Sequence, residues 1–323
     1  MFRNWQSRPT ITFLLSLLLF LVPVFVKSNY ILHVLILTYL AIIYTVSLRL
    51  VLANGFLSFG HGAFAGIGAY SSALLMMRAG FPFLLSMIVA AAISALVGGL
   101  IAFPSLRTRG AYFVIFSWAF GEVFVVLYKR LKVVFGGVSG LYGIPGPSLF
   151  GITFTSKLGY VYIALILMLI TVVVCYRIEK SRFGIVIRAI GNSEDLAESV
   201  GVNLVRYKVF NFSVSCFFAG IAGSFLAHYT HFLAPEMFGI ALSESIVVYL
   251  LVGGGGSIPG AIIGATILTV IPEILAFTSF YKMIVFGAIL VLTIIFLPGG
   301  LVSLPDLIRK KQDLGKAAYK RVT

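Results

Sequence analysis

The chain has 323 residues, of which 60% are apolar and only 11% charged, with 24 Lys and Arg against 10 Asp and Glu. Soluble domains are about 45–50% apolar and about 25% charged. A mean hydropathy of +1.08 therefore excludes an ordinary soluble enzyme, a disordered chain and a disulfide-stapled secreted domain, and sends the surplus apolar surface to lipid.

In chain order, Arg3 and Arg8 precede an apolar run over 11–26. No A-x-A cleavage site follows, so the run reads as a retained first span. Further spans are expected at 30–53, 56–77, 83–104, 110–131, 158–178, 208–230, 238–254, 258–276 and 281–303. The expected fold is an all-α polytopic bundle of about ten spans. Cys175 and Cys216 lie inside apolar runs without a metal-ligand neighbour and read as small packing residues.

The net charge of +14 reads as the positive-inside bias of an inner-membrane protein, with no nucleic-acid partner. With both termini in the cytoplasm, the outer side holds only Lys27, Arg78, Lys129, Arg130, Lys132, Lys157 and Lys282. All other Lys and Arg fall inside, including Arg49 and the basic tail 309–323. Lys129, Arg130 and Lys132 violate the bias and mark a candidate partner surface. Of the two long loops, 132–157 lies outside and is rich in Gly and Pro turns. The loop 179–207 lies inside, and Ser193 before Glu194 and Asp195 has the form of a helix start. A charged helix here is either an element that couples to a partner or an interfacial helix lying on lipid headgroups.

Two glycine-rich stretches interrupt the spans, at 55–70 and at 252–264. Freed backbone groups in a membrane must be satisfied by protein or cavity water, so such breaks point to a solute path. Gly62-xxx-Gly66 and Gly256-xxx-Gly260-xxx-Gly264 equally have the form of close helix packing. The candidate path or packing residues are Ser58, His61, Gly62, Gly66, Glu122, Gly256 and Gly260. His61 either lines the cavity or is satisfied by backbone carbonyls. Among the intramembrane acids, Glu122 lies mid-span, while Glu244 and Glu273 lie near predicted ends. They form no relay of the kind an ion-coupled carrier needs. The sequence carries no GK[ST] phosphate loop, no zinc spacing and no G-x-S-x-G. No catalytic or metal-binding set is expected, and any ATP must be bound by another subunit.

Several motifs occur in order over residues 50–302. GFLSFGHGAFAGIGAY (55–70), RTRGAYFVIFSWAFGEV (107–123), GGVSGLYGIP (136–145), the segment 181–215, VGGGGSIPGAIIGA (252–265) and FLPGGL (296–301) resemble those of LivM-like permeases. These are membrane subunits of bacterial branched-chain amino acid ABC importers. The resemblance implies one transmembrane permease domain over 1–308 in the bacterial inner membrane, surrounded by membrane lipid. It implies a transport subunit without enzyme activity or a cofactor of its own, moving branched-chain or related amino acids. The implied partners are a second, LivH-like permease, two ATPase subunits that use ATP, and an external solute-binding protein. The loop 179–207 would be the coupling element, with Arg188, Glu194, Ala197 and Gly201 carried over from the motif. Ala197 and Gly201 would allow close approach, and Arg188 and Glu194 charged hydrogen bonds. The same resemblance extends to permeases for urea and other small solutes.

Overall fold

The computed structural model describes residues 28–105, 111–149, 152–153, 156–274 and parts of 284–303. The expected first span, 11–26, and the tail 309–323 lie outside these residues, and the expected last span is described only in part.

The described chain is almost wholly helical. Its elements are α1 (Asn29–Leu52), α2 (His61–Ala79), α3 (Phe83–Ser105), α4 (Ala111–Arg130), α5 (Lys157–Lys180), α6 (Arg182–Asn192), α7 (Glu194–Ser199), α8 (Leu204–Thr230), α9 (Ile240–Gly253) and α10 (Ile258–Ile274). Six segments are long and apolar enough to cross a membrane: Asn29–Leu52, Phe83–Ser105, Tyr112–Arg130, Lys157–Lys180, Leu204–Thr230 and Pro235–Gly253. The expected span at 56–77 is modified, because residues 53–60 are not helical and α2 begins only at His61. Rich in Gly, Ala and Ser, α2 is less apolar than the six, yet its first half is entirely buried. Protein rather than lipid surrounds that half. The expected span at 258–276 forms the shorter apolar helix α10.

At the centre stands α1, buried without interruption from Thr38 to Val51. A helix that is apolar all round belongs in a core, and α1 packs against α5, α8, α9 and α10. Beside it, α2, α3 and α8 pack tightly through small residues. A Cβ on Gly220 would stand 2.7 Å from Ser94 Cβ, and one on Gly98 2.8 Å from Cys216 Cβ. The Ser94 hydroxyl lies 2.9 Å from the carbonyl oxygens of both Phe64 and Cys216, joining the three helices. Cys175 and Cys216 are buried and free.

One end of the bundle carries the turn-rich segment 131–149. Its strand β1 (Leu141–Tyr142) pairs antiparallel with β4 (Phe232–Leu233), while β2 (Ser148–Leu149) pairs with β3 (Ile152–Thr153). His228 Nδ1 lies 2.8 Å from the Pro145 oxygen and His231 Nδ1 2.8 Å from that of Ile144, tying the segment to the end of α8. The opposite end carries α6 and α7.

Candidate functional site

The charged helix expected within 179–207 is two helices. Ser181 caps α6 by accepting a hydrogen bond from Gly184 N, and Ser193 caps α7 by accepting one from Leu196 N, each at 3.3 Å. Glu194 and Asp195 occupy the first turn of α7, where the helix dipole favours acids. Gly201 ends it with φ +83°. Gly201 N donates to the Glu198 oxygen at 2.9 Å and Val202 N to that of Ala197 at 3.1 Å. This is a Schellman stop, which needs a left-handed residue. A Cβ at Gly201 would meet nothing within 4 Å, so helix termination accounts for the glycine without a close neighbour.

The four expected coupling residues are placed as follows. Arg188 Nη1 donates to the Glu179 oxygen at 2.7 Å. Glu194 forms an ion pair of 2.7 Å with Lys208, whose side chain is buried and whose ammonium also lies over the Phe56 ring. Ala197 is turned inward, only 4% exposed, and Gly201 is exposed. Of the two small residues, Ala197 is thus used within the chain and Gly201 ends the helix. Facing outward instead are apolar residues, Leu196 at 67% and Val200 at 73% exposure, with Ile185 on α6. Sequence reasoning singled out neither Ile185 nor Leu196, because a lone apolar residue in a short helix reads as core.

The first glycine break lies against this helix pair. Gly55 adopts φ +82°, and a Cβ on Gly191 at the end of α6 would stand 3.2 Å from Asn54 C and Gly55 N. Within the break, Phe59 N donates to Ser117 Oγ at 3.0 Å and Gly60 N to Ser58 Oγ at 3.3 Å. Gly62 N donates to Ser243 Oγ at 2.9 Å, and Gly66 faces Phe238. Buried His61 places Nε2 2.9 Å from the Ser47 hydroxyl, so its neighbour there is a side chain rather than a carbonyl. Nearby, Ser215 donates to the Ser47 oxygen at 2.6 Å.

The second break links α9 to α10. Gly254 takes φ +107° and lies against Gly299 and Gly300. Gly260 and Gly264 press on the backbone of the α9 end, whereas Gly256 is exposed, with nothing within 4 Å of a Cβ. The three glycines of the small-residue pattern therefore do not share one packed face.

The second break is held by a residue that the charge count places only among the inward cations. Arg49, 7% exposed in the last turn of α1, forms an ion pair with Glu179 near the end of α5. Its Nη2 donates to the Gly256 oxygen at 2.8 Å. Asn211 on α8 donates to the Leu50 oxygen at 2.5 Å. An arginine inside an apolar helix was itself the available signal, since such charges need partners.

Glu122 stands apart from these breaks. It is half-buried on α4, where Trp118, Ala119 and Val126 flank a groove of about 430 Å³. At the opposite end Lys129 pairs with Glu236 at 2.9 Å, offsetting one charge of the basic cluster. Among the described residues no group of His, Cys, Asp and Glu could hold a metal ion.

The chain matches the family model "Branched-chain amino acid transport system / permease component" over residues 13–294. It is 32% identical over 291 residues to the high-affinity branched-chain amino acid transport system permease protein LivM of Salmonella typhimurium, covering 82% of this chain and 68% of that protein. The LivM of Escherichia coli is likewise 32% identical over 292 residues, with 83% and 69% covered. The corresponding LivH of Salmonella typhimurium is 26% identical over 272 residues, with 78% and 87% covered. No solved structure matches the chain. With most of its length matched and its fold an apolar helical bundle, the chain belongs to the family of branched-chain amino acid transport system permease components.

Proposed function

We propose that this chain is the LivM-type permease subunit of an ATP-driven importer that carries branched-chain or related amino acids across the bacterial inner membrane. Its partners in this reading are a LivH-like permease, two ATPase subunits and an external solute-binding protein. Both termini lie in the cytoplasm, about ten spans cross the membrane, and the chain binds no cofactor itself. The observation that carries the reading is the helix pair α6–α7. It is packed on the first glycine break and offers Ile185, Leu196 and Val200 outward from charged surroundings. A lipid-facing connector has no need to touch the break, whereas an element that receives a push from an ATPase does.

In this mechanism ATP-driven closure of the ATPases moves α6–α7, and the movement reaches the spans at residues 53–60. Arg188 and Glu194 hold the pair in shape, through the Glu179 oxygen and Lys208 respectively. The solute passes along the surface that Glu122 serves, while Ser58, His61, Gly62, Gly66 and Gly260 keep the breaks closely packed. A carboxylate inside a membrane is costly unless it meets water or a cation, and an amino acid's ammonium supplies one. The test is uptake of radiolabelled leucine by intact cells. Uptake should stop on ATP depletion and survive an uncoupler. Loss with the uncoupler while ATP remains high would contradict the proposal.

A further inference from the structure

We propose that Arg49 is the positioning residue that ties the second glycine break to the helix pair α6–α7, so that the two breaks move as one. The inference rests on the importer reading above and adds a route from that helix pair to the second break. Three observations converge on one side chain. Arg49 is buried at the end of the central helix, where a charge persists only with partners. It is paired with the Glu179 carboxylate, and the carbonyl of that same residue accepts Arg188 Nη1 from α6 at 2.7 Å. Through Nη2, at 2.8 Å, it holds the Gly256 carbonyl in the exposed turn between α9 and α10.

Within that turn Gly254 is packed against Gly299 and Gly300, while Gly256 is exposed and its carbonyl is held by Arg49. A Cβ on Gly256 would meet nothing within 4 Å, and Gly254 takes a positive φ. A carbonyl held by a charged donor follows that donor. The first break is already seated on Gly191 of α6. A displacement of α6 therefore reaches 53–60 through backbone packing, and 254–257 through Glu179 and Arg49. Only about 10 Å³ remains open among Arg49, Glu179, Arg188, Gly184 and Asn211, about one water's space, so the parts have little room to slip past one another.

The direct test needs no change at Arg49. The two native cysteines are buried and free, so spin labels can be directed to Asn192, Gly256 and Tyr142, all exposed. In the reconstituted complex with its ATPases and binding protein, the 192–256 distance should stay constant between nucleotide-free and ATP-bound states. The distance from each of these to Tyr142 should change. Separation of 192 from 256, or no movement of either relative to Tyr142, overturns the proposal.

The functional test pairs uptake with solute-stimulated ATP hydrolysis in proteoliposomes. Arg49→Gln should keep hydrolysis within about threefold and lower solute moved per ATP at least tenfold. Arg49→Lys, which retains a charged donor, should recover part of that ratio. The exchange of Arg49→Glu with Glu179→Arg should not, because a carboxylate cannot donate to the Gly256 oxygen. A merely structural role lowers the amount of complex and leaves the ratio unchanged, which overturns the proposal. If no ATPase associates with the wild-type complex, the importer reading fails, a result distinct from an altered ratio.

Discussion

Glycines that look alike along the chain have different environments. A Cβ on Gly62 would stand 2.9 Å from Ser243 Oγ and 3.1–3.2 Å from the oxygens of Gly239 and Phe238. Neither carbonyl can retreat without disturbing the start of α9. Overpacking of this kind costs about 1–3 kcal/mol even for a small addition. Gly62→Leu should therefore lower the thermal midpoint of the detergent-solubilised protein and abolish uptake. A Cβ on Gly256 would have no such neighbours, and Gly256→Ala should change stability by no more than about 0.5 kcal/mol, as surface changes do, leaving the midpoint nearly unmoved. Scanning fluorimetry of the two variants checks both. Equal behaviour would mean that the glycines act through backbone flexibility alone and not through space.

At the scale of elements, α7 is held by the Lys208–Glu194 pair. Removing one partner of a buried pair costs about 3–5 kcal/mol, and the 20% exposure of the Glu194 side chain puts this case at the lower end. Glu194→Gln should free α7 locally, seen as faster hydrogen exchange over 194–199 while α8 stays protected. Adding Lys208→Met should restore part of the protection, since it removes the buried charge that Glu194→Gln leaves unpaired. Unchanged exchange in Glu194→Gln would remove the pair as the anchor. Most helix bounds were legible in the sequence because an apolar run between charges has few other solutions. The split at Ser193 was half legible, through its capping pattern. The inward turn of Ala197 was not, because it depends on where α8 places Lys208 and where the first break places Phe56. Nor could periodicity reveal that Arg49, Glu179 and Gly256 meet, since they are brought together from three separate parts of the chain. The short start of α2 escaped because 56–60 is apolar enough for a span but its amides bond to Ser58 and Ser117 instead.

For the whole molecule, segment 131–149 and helices α6–α7 occupy opposite ends of the bundle. The proposed orientation puts the first outside. Single cysteines at Val133 and Val200, both highly exposed, should react with a membrane-impermeant maleimide from opposite sides. Val133→Cys should label in intact spheroplasts, and Val200→Cys only in inverted vesicles. The reverse pattern would turn the molecule over and remove α6–α7 from the ATPase side.

The most direct measurement of the central claim is solute-stimulated ATP hydrolysis by the purified complex, comparing wild type with Leu196→Asp/Val200→Asp. Both side chains point away from the chain's own core, so insertion and folding should be unaffected. Losing two apolar anchors of about 1.5–3 kcal/mol each would weaken association by roughly a hundredfold or more. The account predicts that the variant reaches the membrane in wild-type amounts and loses both ATPase co-purification and leucine-stimulated hydrolysis. Wild-type hydrolysis with the ATPases still bound would contradict it.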